Sequence, residues 1–421
     1  MRGGDGLATT PVEIRCNQQI ATYPVVTTGH RWPCAHEIIY GENWRTVLFE
    51  EHPELSADTR RRDLLLEPTP PMPEPGSPGG GLFPVLVQLN DGGLAAVTRT
   101  GAPHVGSGGE LSLSFSSDGG RTWSEPTVVA RGDVEDDLDC RDAALGEAGN
   151  GDLVLAYGLD GRHDATGQPS NHQVPSRGMW VTRSTDKGYS WSAPRQLQVP
   201  SSEPFPLLLH PFGQMRRLQD GRLVLNARGF YSPEAYAQRP DLPRRLTYLY
   251  WSDPGGNEWS EPLLVKAGMT ETAFLPLDED NWLAYVRNPH GPSQIARCAD
   301  GGQTWHGWAP ALGGREGSSR FRHPGSIALL RNGNVLITYG HRQPPFGVRA
   351  IVSRDGGKTF DTDREYIITD RYVHEDCGYP STVCLADGTV VTLAYTVLDL
   401  DHADWGTCCI AYRYPQELFD L

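Results

Sequence analysis

The chain has 421 residues, of which 48 are Gly and 34 Pro, together with 11 Trp, 16 Tyr and 11 Phe. So many turn-forming residues exclude a bundle of long helices, and the aromatic content excludes wholesale disorder. Fifty-two acidic residues against 37 basic ones leave a net charge of −15, which opposes a phosphate backbone and excludes nucleic acid as a partner.

The first residues, MRGGDGLATTPVEIRC, lack the apolar stretch of a secretory signal. No segment is apolar over the ~18 residues needed to cross a bilayer, so the expectation is a cytoplasmic chain without a membrane partner. Glu13 to Tyr23 reads as a strand available to close a ring of sheets. Residues 30 to about 80 are irregular and end in a proline-rich connector, Glu67 to Pro78. Residues 1–80 are therefore read as a closing strand plus decoration, and 81–421 as the main domain. Eight cysteines (Cys16, Cys34, Cys140, Cys298, Cys377, Cys384, Cys408 and Cys409) show no CxxC and no finger spacing, so free buried thiols are expected, with no metal and no cofactor. Glu135, Asp136, Asp137 and Asp139 cluster carboxylates as calcium prefers, but without an EF-hand register they read as a solvated loop.

Within residues 81–421 one phrase recurs five times. The copies are Ser116 to Trp123, Ser184 to Trp191, Trp251 to Trp259, Cys298 to Trp305 and Ser353 to Phe360, built on Asp118, Asp186, Asp253, Asp300 and Asp355. In each, Asp accepts backbone N–H groups, Gly supplies positive φ, and an aromatic residue pins the turn. Upstream of each copy lies an apolar hairpin around an Asp or Asn turn: Asp91-Gly92, Asn150-Gly151, Asp220-Gly221, Asp278 and Asn332-Gly333. A sixth hairpin, around Asp387-Gly388, has no such phrase after it. Repeats this long point to four-stranded sheets, one per repeat, and so to an all-β, six-bladed β-propeller.

Strand parity then sorts the polar residues. The start of each first strand and the end of each second strand share one face, and the Asp phrases lie on the other. First-strand starts carry Arg141, Asp142, His210, Glu271, Arg322, His323 and Tyr379. Second-strand ends and the loops after them carry Arg99, His104, Arg228, Arg287, His341 and Arg342. An acidic chain that gathers guanidinium groups at one mouth is suited to holding an anion, since the planar fork engages carboxylates bidentately.

The phrase SxDGGxTW is the Asp-box, and a six-bladed Asp-box propeller resembles the sialidase superfamily over roughly residues 82 to 414. That resemblance implies a tyrosine nucleophile on the last blade, a glutamate as its base, and an arginine triad on the substrate carboxylate. Cys377-Gly-Tyr379-Pro is similar to the tyrosine-bearing strand. Thr270-Glu271 and Trp282 to Arg287 are similar to the segment with the glutamate and one arginine. By this resemblance Tyr379 is the nucleophile, Glu271 its base, and Arg287, Arg322 and Arg342 hold the carboxylate, with Asp142 or His104 protonating the leaving group. Two features depart from the family: Gly81-Leu82-Phe83-Pro84 lacks the first-blade arginine, and the position nearest the family's acid is His104. The expected activity is exo-hydrolysis of a terminal acidic sugar. Alternatives are a uronate lyase, with His104, His210, His323 or His341 as base or acid and Arg141, Arg287 or Arg322 on the carboxylate, and a non-catalytic glycan-binding propeller. Oligomeric state is left open.

Overall fold

The computed structural model describes residues 81–421 apart from 103, 105–107, 134–137, 162–177, 199–202, 205–206, 232, 289–290, 312–321, 344, 363, 373, 398–406 and 421. Before residue 81 it describes only short strands, of which Thr10–Cys16 and Gln19–Val25 pair with each other. Three of the clustered acidic residues, 135–137, lie outside the described residues. Among the described residues no helix is long and apolar enough to cross a membrane.

Six sheets follow in chain order. Blade 1 is Leu82–Gln88, Leu94–Thr100, Glu110–Ser116 and Thr127–Arg131. Blade 2 is Leu138–Glu147, Leu153–Gly161, Gly178–Ser184 and Arg195–Gln196. Blade 3 has Leu207–Pro211, Leu223–Tyr231, Leu246–Trp251 and Leu263–Ala267. Blade 4 is Thr270–Pro276, Asn281–Arg287, Gln294–Ala299 and His306–Pro310. Blade 5 is Arg322–Leu329, Val335–His341, Phe346–Ser353 and Tyr366–Tyr372. Blade 6 has Gly378–Cys384, Thr389–Val397 and Thr407–Pro415. Successive strands within each blade pair antiparallel, as the hairpin signals anticipated, and the fold is a six-bladed β-propeller.

Burial explains why the ring closes. Every interface between neighbouring blades has its own apolar cluster, including Leu86, Leu94, Val383 and Leu393 between blades 1 and 6. Such faces would otherwise meet water, at about 25 cal/mol per Å² of apolar surface. The Leu86 N–H donates to Ser381 Oγ at 2.9 Å, joining strands 295 residues apart.

The Asp-box aromatics serve these interfaces. Trp123 packs on the cluster between blades 6 and 1, Trp191 on that between 1 and 2, and Trp259 on that between 2 and 3. Trp305 packs between blades 3 and 4, and Phe360 between 4 and 5. Each phrase thus wedges its blade against the preceding one. The turn is held by its aspartate: Asp118 Oδ1 accepts the Thr122 N–H at 2.9 Å and the Ser116 hydroxyl at 2.8 Å. In the fourth copy the Cys298 thiol replaces the serine, with Sγ 2.8 Å from Asp300 Oδ1.

Blade 6 lacks an Asp-box, and the expectation that Glu13 to Tyr23 completes it finds no pairing partner there: Thr10–Cys16 and Gln19–Val25 pair only with each other, and blade 6 has three strands among the described residues. The apolar wedge comes from the other end of the chain. A short 3₁₀ turn, Gln416–Phe419, buries Phe419 to 2% exposure in the cluster between blades 5 and 6, edge-on to Tyr366 at 4.8 Å.

Blade 3 departs from the regular hairpin expected over Gly213 to Ala227. Leu207–Pro211 pairs with Leu223–Tyr231, but Gly213–Gln214 leaves to pair parallel with blade 2, and Arg216–Arg217 then returns. Pro211 has no N–H to continue the ladder, and Gly213 takes the turn at φ +74°. The diverted segment crosses the channel. Gln214 Nε2 donates to Leu86 O of blade 1 at 2.6 Å and Thr382 O of blade 6 at 3.1 Å. Arg216 Nε donates to Phe274 O of blade 4 at 2.7 Å and Nη2 to Ile327 O of blade 5 at 2.5 Å.

Phe419→Ala is expected to lower the unfolding free energy by about 3–5 kcal/mol in urea titration, the usual cost of emptying a buried aromatic site. A loss below about 1 kcal/mol would show that the C-terminal turn does not substitute for the missing Asp-box.

Candidate active site

The mouth of the propeller is set by a repeated irregularity at the head of the inner strands. In blade 4, Thr270 pairs with Arg287 and Thr272 with Val286, so Glu271 is left over. In blade 6, Gly378 pairs with Tyr395 and Ser381 with Leu393, which leaves Tyr379 and Pro380. Blades 1 and 2 slip in the same way at Phe83 and Asp142. All four residues adopt positive φ: 51° at Phe83, 53° at Asp142, 30° at Glu271 and 47° at Tyr379. An extra residue in a strand bends it and re-aims its side chain. Left-handed backbone at a non-glycine residue costs on the order of 1–3 kcal/mol and persists only where its surroundings impose it.

These bulges bring Tyr379 and Glu271 together. The Tyr379 hydroxyl donates to Glu271 Oε1 at 2.6 Å across 108 residues. Arg287 Nη1 hydrogen-bonds to Glu271 Oε2 and lies 3.4 Å from the Tyr379 hydroxyl. Arg228 Nη1 reaches Glu271 Oε1 at 3.3 Å, and the Arg342 guanidinium lies 5.2 Å from the Tyr379 ring centroid. Glu271 is 3% exposed. Burial by itself would raise its carboxyl, but Arg287 and Arg228 outweigh that and, with the Tyr379 hydroxyl, bring it down to about 2. Burial, and then Glu271, push the Tyr379 phenol well above its ordinary value despite the surrounding arginines. The pair is thus a neutral phenol on a carboxylate.

A second network adjoins it. Arg228 Nη2 donates to Asp142 Oδ2 at 2.6 Å, and Arg141 Nε lies 3.3 Å from the same oxygen. His210 is fully buried, with Nδ1 2.9 Å from Asp142 and Nε2 3.1 Å from Asp160. Burial opposes its charge, but Asp160 and Asp142 prevail and raise its pKa. Gly158 leaves the room for this ring, because a Cβ there would lie 2.6 Å from His210 Nδ1. Burial would raise the Asp142 carboxyl, yet Arg228, Arg141 and His210 hold it well below the usual range. That carboxylate is held by two guanidinium groups and an imidazole. His104 sits at the rim with Nδ1 2.6 Å from Asp376 Oδ2.

Other nominated residues are placed elsewhere. Arg99 is 1% exposed and binds Asp139 at 2.7 Å between blades 1 and 2. Arg322 turns to Glu365, 2.7 Å away, and Arg349 shares that carboxylate at 3.5 Å. His341 is buried beside this cluster, and burial first, then Arg349 and Arg322, hold its pKa well below the ordinary value. His323 precedes Pro324 at the head of the blade 5 inner strand. None of these four has a contact with Tyr379 or Glu271 among the hydrogen bonds and ion pairs given above.

Sequence reasoning missed Asp376, Tyr395, Phe83 and Arg216. Phe83 stands edge-on to Tyr379 at 4.8 Å and to His104 at 4.9 Å. Tyr395 hydrogen-bonds to Asp376 Oδ1, and Arg342 Nη2 donates to the Tyr395 hydroxyl at 3.3 Å. A signal for Tyr395 existed: it pairs opposite Gly378 just as Arg287 pairs opposite Thr270 and Arg228 opposite His210. Asp376 lies between the fourth strand of blade 5 and the first of blade 6, a connection that the same parity puts on the mouth. Beneath the mouth a cavity is lined by Phe83, Asp142, Phe212, Gln214, Arg216 and Tyr379. Burial lowers the Arg216 guanidinium to about 10. Among the described residues no group of three or more His, Cys, Asp or Glu side chains is placed to hold a metal ion.

The profile of the BNR repeat-like domain family matches residues 113–392. Comparison with curated proteins found no match. Among solved structures, the chain is similar to a Dyadobacter fermentans protein of unknown function, at 21% identity and a TM-score of 0.65 over 83% of this chain and 98% of that one. It is similar to the NanB sialidase of Streptococcus pneumoniae, at 13% identity and a TM-score of 0.61 over 82% of this chain and 70% of that one. A Trypanosoma rangeli sialidase mutant displaying trans-sialidase activity is 15% identical, with a TM-score of 0.59 over 83% of this chain and 59% of that one. With five Asp-boxes in register on six closed blades, the chain belongs to the BNR repeat-like domain family, on the propeller fold that the sialidases share.

Proposed function

We propose that the protein is a retaining glycoside hydrolase that removes a terminal sugar bearing a carboxylate, sialic acid or a related acid, with Tyr379 as nucleophile. The observation that carries this reading is the 2.6 Å hydrogen bond from the Tyr379 hydroxyl to buried Glu271. A neutral phenol approaches an anomeric carbon beside a carboxylate without the repulsion an anionic nucleophile would meet. As its oxygen bonds to carbon, its proton passes to Glu271, whose ionised state leaves it free to accept. Arg287 and Arg342 flank the phenol, 23% and 16% exposed, and hold the substrate carboxylate. Arg228 and Asp142 neutralise each other and keep Glu271 in place. Phe83 gives the first-blade side of the mouth an aromatic wall, so two guanidinium groups carry the anion. The sialidases similar in fold support the substrate class.

One observation favours a second reading, β-elimination from a uronate: the His104 imidazole has a carboxylate partner and packs on Phe83, the ring that also packs on Tyr379. An unsaturated, ultraviolet-absorbing product would identify it.

Tyr379→Phe is expected to lower kcat about a thousandfold or more, with a melting temperature close to that of the wild type. Retained turnover would remove the nucleophile. Arg342→Lys should raise KM for an acidic sugar about ten- to a hundredfold and leave a neutral analogue unaffected; equal changes on both would contradict anion recognition. Glu271 also links stability to pH. Its folded pKa of about 2 lies below the ordinary 4.5, so its contribution is present above about pH 4.5 and is lost as pH falls towards 2. Urea unfolding of wild type and Glu271→Gln should therefore differ less at pH 3 than at pH 6, by roughly 2 kcal/mol. A constant difference would mean that the arginines do not depress this carboxyl.

A further inference from the structure

Tyr379 and Glu271 supply a nucleophile and its base, but the departing alcohol also needs a proton, and Asp142 is held as an anion. An imidazole at a rim has two tautomers and a freely turning ring unless something selects one. For His104 that partner is Asp376, whose Oδ2 lies 2.6 Å from Nδ1.

Asp376 is itself held from several sides. The Tyr395 hydroxyl donates to Oδ1, Arg342 Nη2 lies 3.6 Å from the same oxygen, and the Asp376 N–H donates to His374 Nδ1 at 3.0 Å. Burial would raise its carboxyl, but His104 and Arg342 hold it far below the ordinary value, so it is an acceptor only. The imidazole is also braced: its ring meets the edge of Phe83, and the His104 carbonyl accepts from Arg141 Nη1 at 3.1 Å. With Nδ1–H on a carboxylate, Nε2 is the nitrogen left to gain and lose a proton. The His104 side chain is 30% exposed at the rim.

We propose that Asp376 is a positioning residue that locks His104 with Nδ1–H on its carboxylate and Nε2 presented to the mouth, making Nε2 the proton donor to the leaving oxygen. The inference rests on the glycosidase reading of Tyr379. In the first step the imidazolium Nε2–H protonates the glycosidic oxygen as its bond to the anomeric carbon breaks. The Tyr379 oxygen bonds to that carbon, and the phenol proton moves to Glu271. In the second step neutral Nε2 takes a proton from water, and the water oxygen bonds to the anomeric carbon. The Tyr379 oxygen leaves and recovers its proton from Glu271. The sum is glycoside plus water giving free sugar plus alcohol, with His104 recharged as imidazolium.

The test pairs two substrates that share one sugar, the methyl and the 4-nitrophenyl α-glycosides of N-acetylneuraminic acid. Nitrophenolate leaves without a proton, whereas methanol needs one. Asp376→Asn should cut kcat/KM, which reports the first step alone, about 10²- to 10³-fold on the methyl glycoside and less than about tenfold on the nitrophenyl glycoside, with partial rescue by Asp376→Glu. Tyr379→Phe should cut both. Equal loss on both substrates in Asp376→Asn, or no loss, overturns the proposal. Independently of turnover, proton NMR should show a downfield Nδ1–H signal that vanishes in His104→Gln and in Asp376→Asn. An Nε2–H tautomer in the wild type overturns the lock even in an active enzyme. A wild type that turns over neither glycoside, nor the 4-nitrophenyl glycoside of a uronic acid, yet shows that signal keeps the lock and refutes the glycosidase reading, and the donor role falls with it.

Discussion

Left-handed backbone at the head of an inner strand is the constraint on which the site depends. A strand in regular pleat would alternate its side chains between the two faces of the blade, and neither direction leads to the mouth. The extra residue at Phe83, Asp142, Glu271 and Tyr379 breaks that alternation, and Glu271 and Tyr379 from different blades then meet. Such strain must be imposed by its surroundings, and here the surroundings are two neighbouring blades and the residues that cross between them. Gly378 shows how close the fit is, since a Cβ there would lie 2.6 Å from Gly340 Cα of blade 5.

Opposite faces of the ring divide the labour. On one face the Asp-box turns are satisfied locally, aspartate to backbone N–H and hydroxyl, and their aromatic residues wedge successive blades. Phe419 does the same for the blade without a phrase. On the other face the hydrogen bonds and ion pairs run between distant segments: Tyr379 to Glu271, Arg228 to Asp142, His104 to Asp376. Stability drawn from the first face lets the second hold strained backbone and buried charge.

Electrostatics at the mouth follow from who shares whom. Asp142 is shared by Arg141, Arg228 and His210, and Glu271 by Arg228 and Arg287. Arg342 has its nearest carboxylate oxygen at 3.6 Å and otherwise rests on a tyrosine ring, a tyrosine hydroxyl and the Cys377 carbonyl. Of the mouth's arginines Arg342 is thus the least tightly paired, and below them Arg216 donates to two carbonyls. Phe83 packs against both Tyr379 and His104, at 4.8 and 4.9 Å.

The scaffold was legible because its signals are local. An Asp-box and an Asp-Gly hairpin each fold through contacts a few residues apart, so five phrases and six hairpins were sufficient to count the blades, and strand parity sufficed to name the face holding Tyr379, Glu271, Asp142, Arg228, Arg287 and Arg342. Parity assigns an end of a strand, but not the direction of a side chain within it. Arg99, Arg228 and Arg287 occupy equivalent register positions, yet Arg99 turns to Asp139 because that carboxylate, 40 residues away, is buried beside it. Arg322 turns to Glu365 for the same reason. Periodicity and turn chemistry therefore determined the propeller and the end at which these residues gather. Only the folded ring decided which arginine meets which carboxylate, because Arg99–Asp139 and Arg228–Asp142 form between blades and Arg322–Glu365 across one blade, where the sequence carries no period.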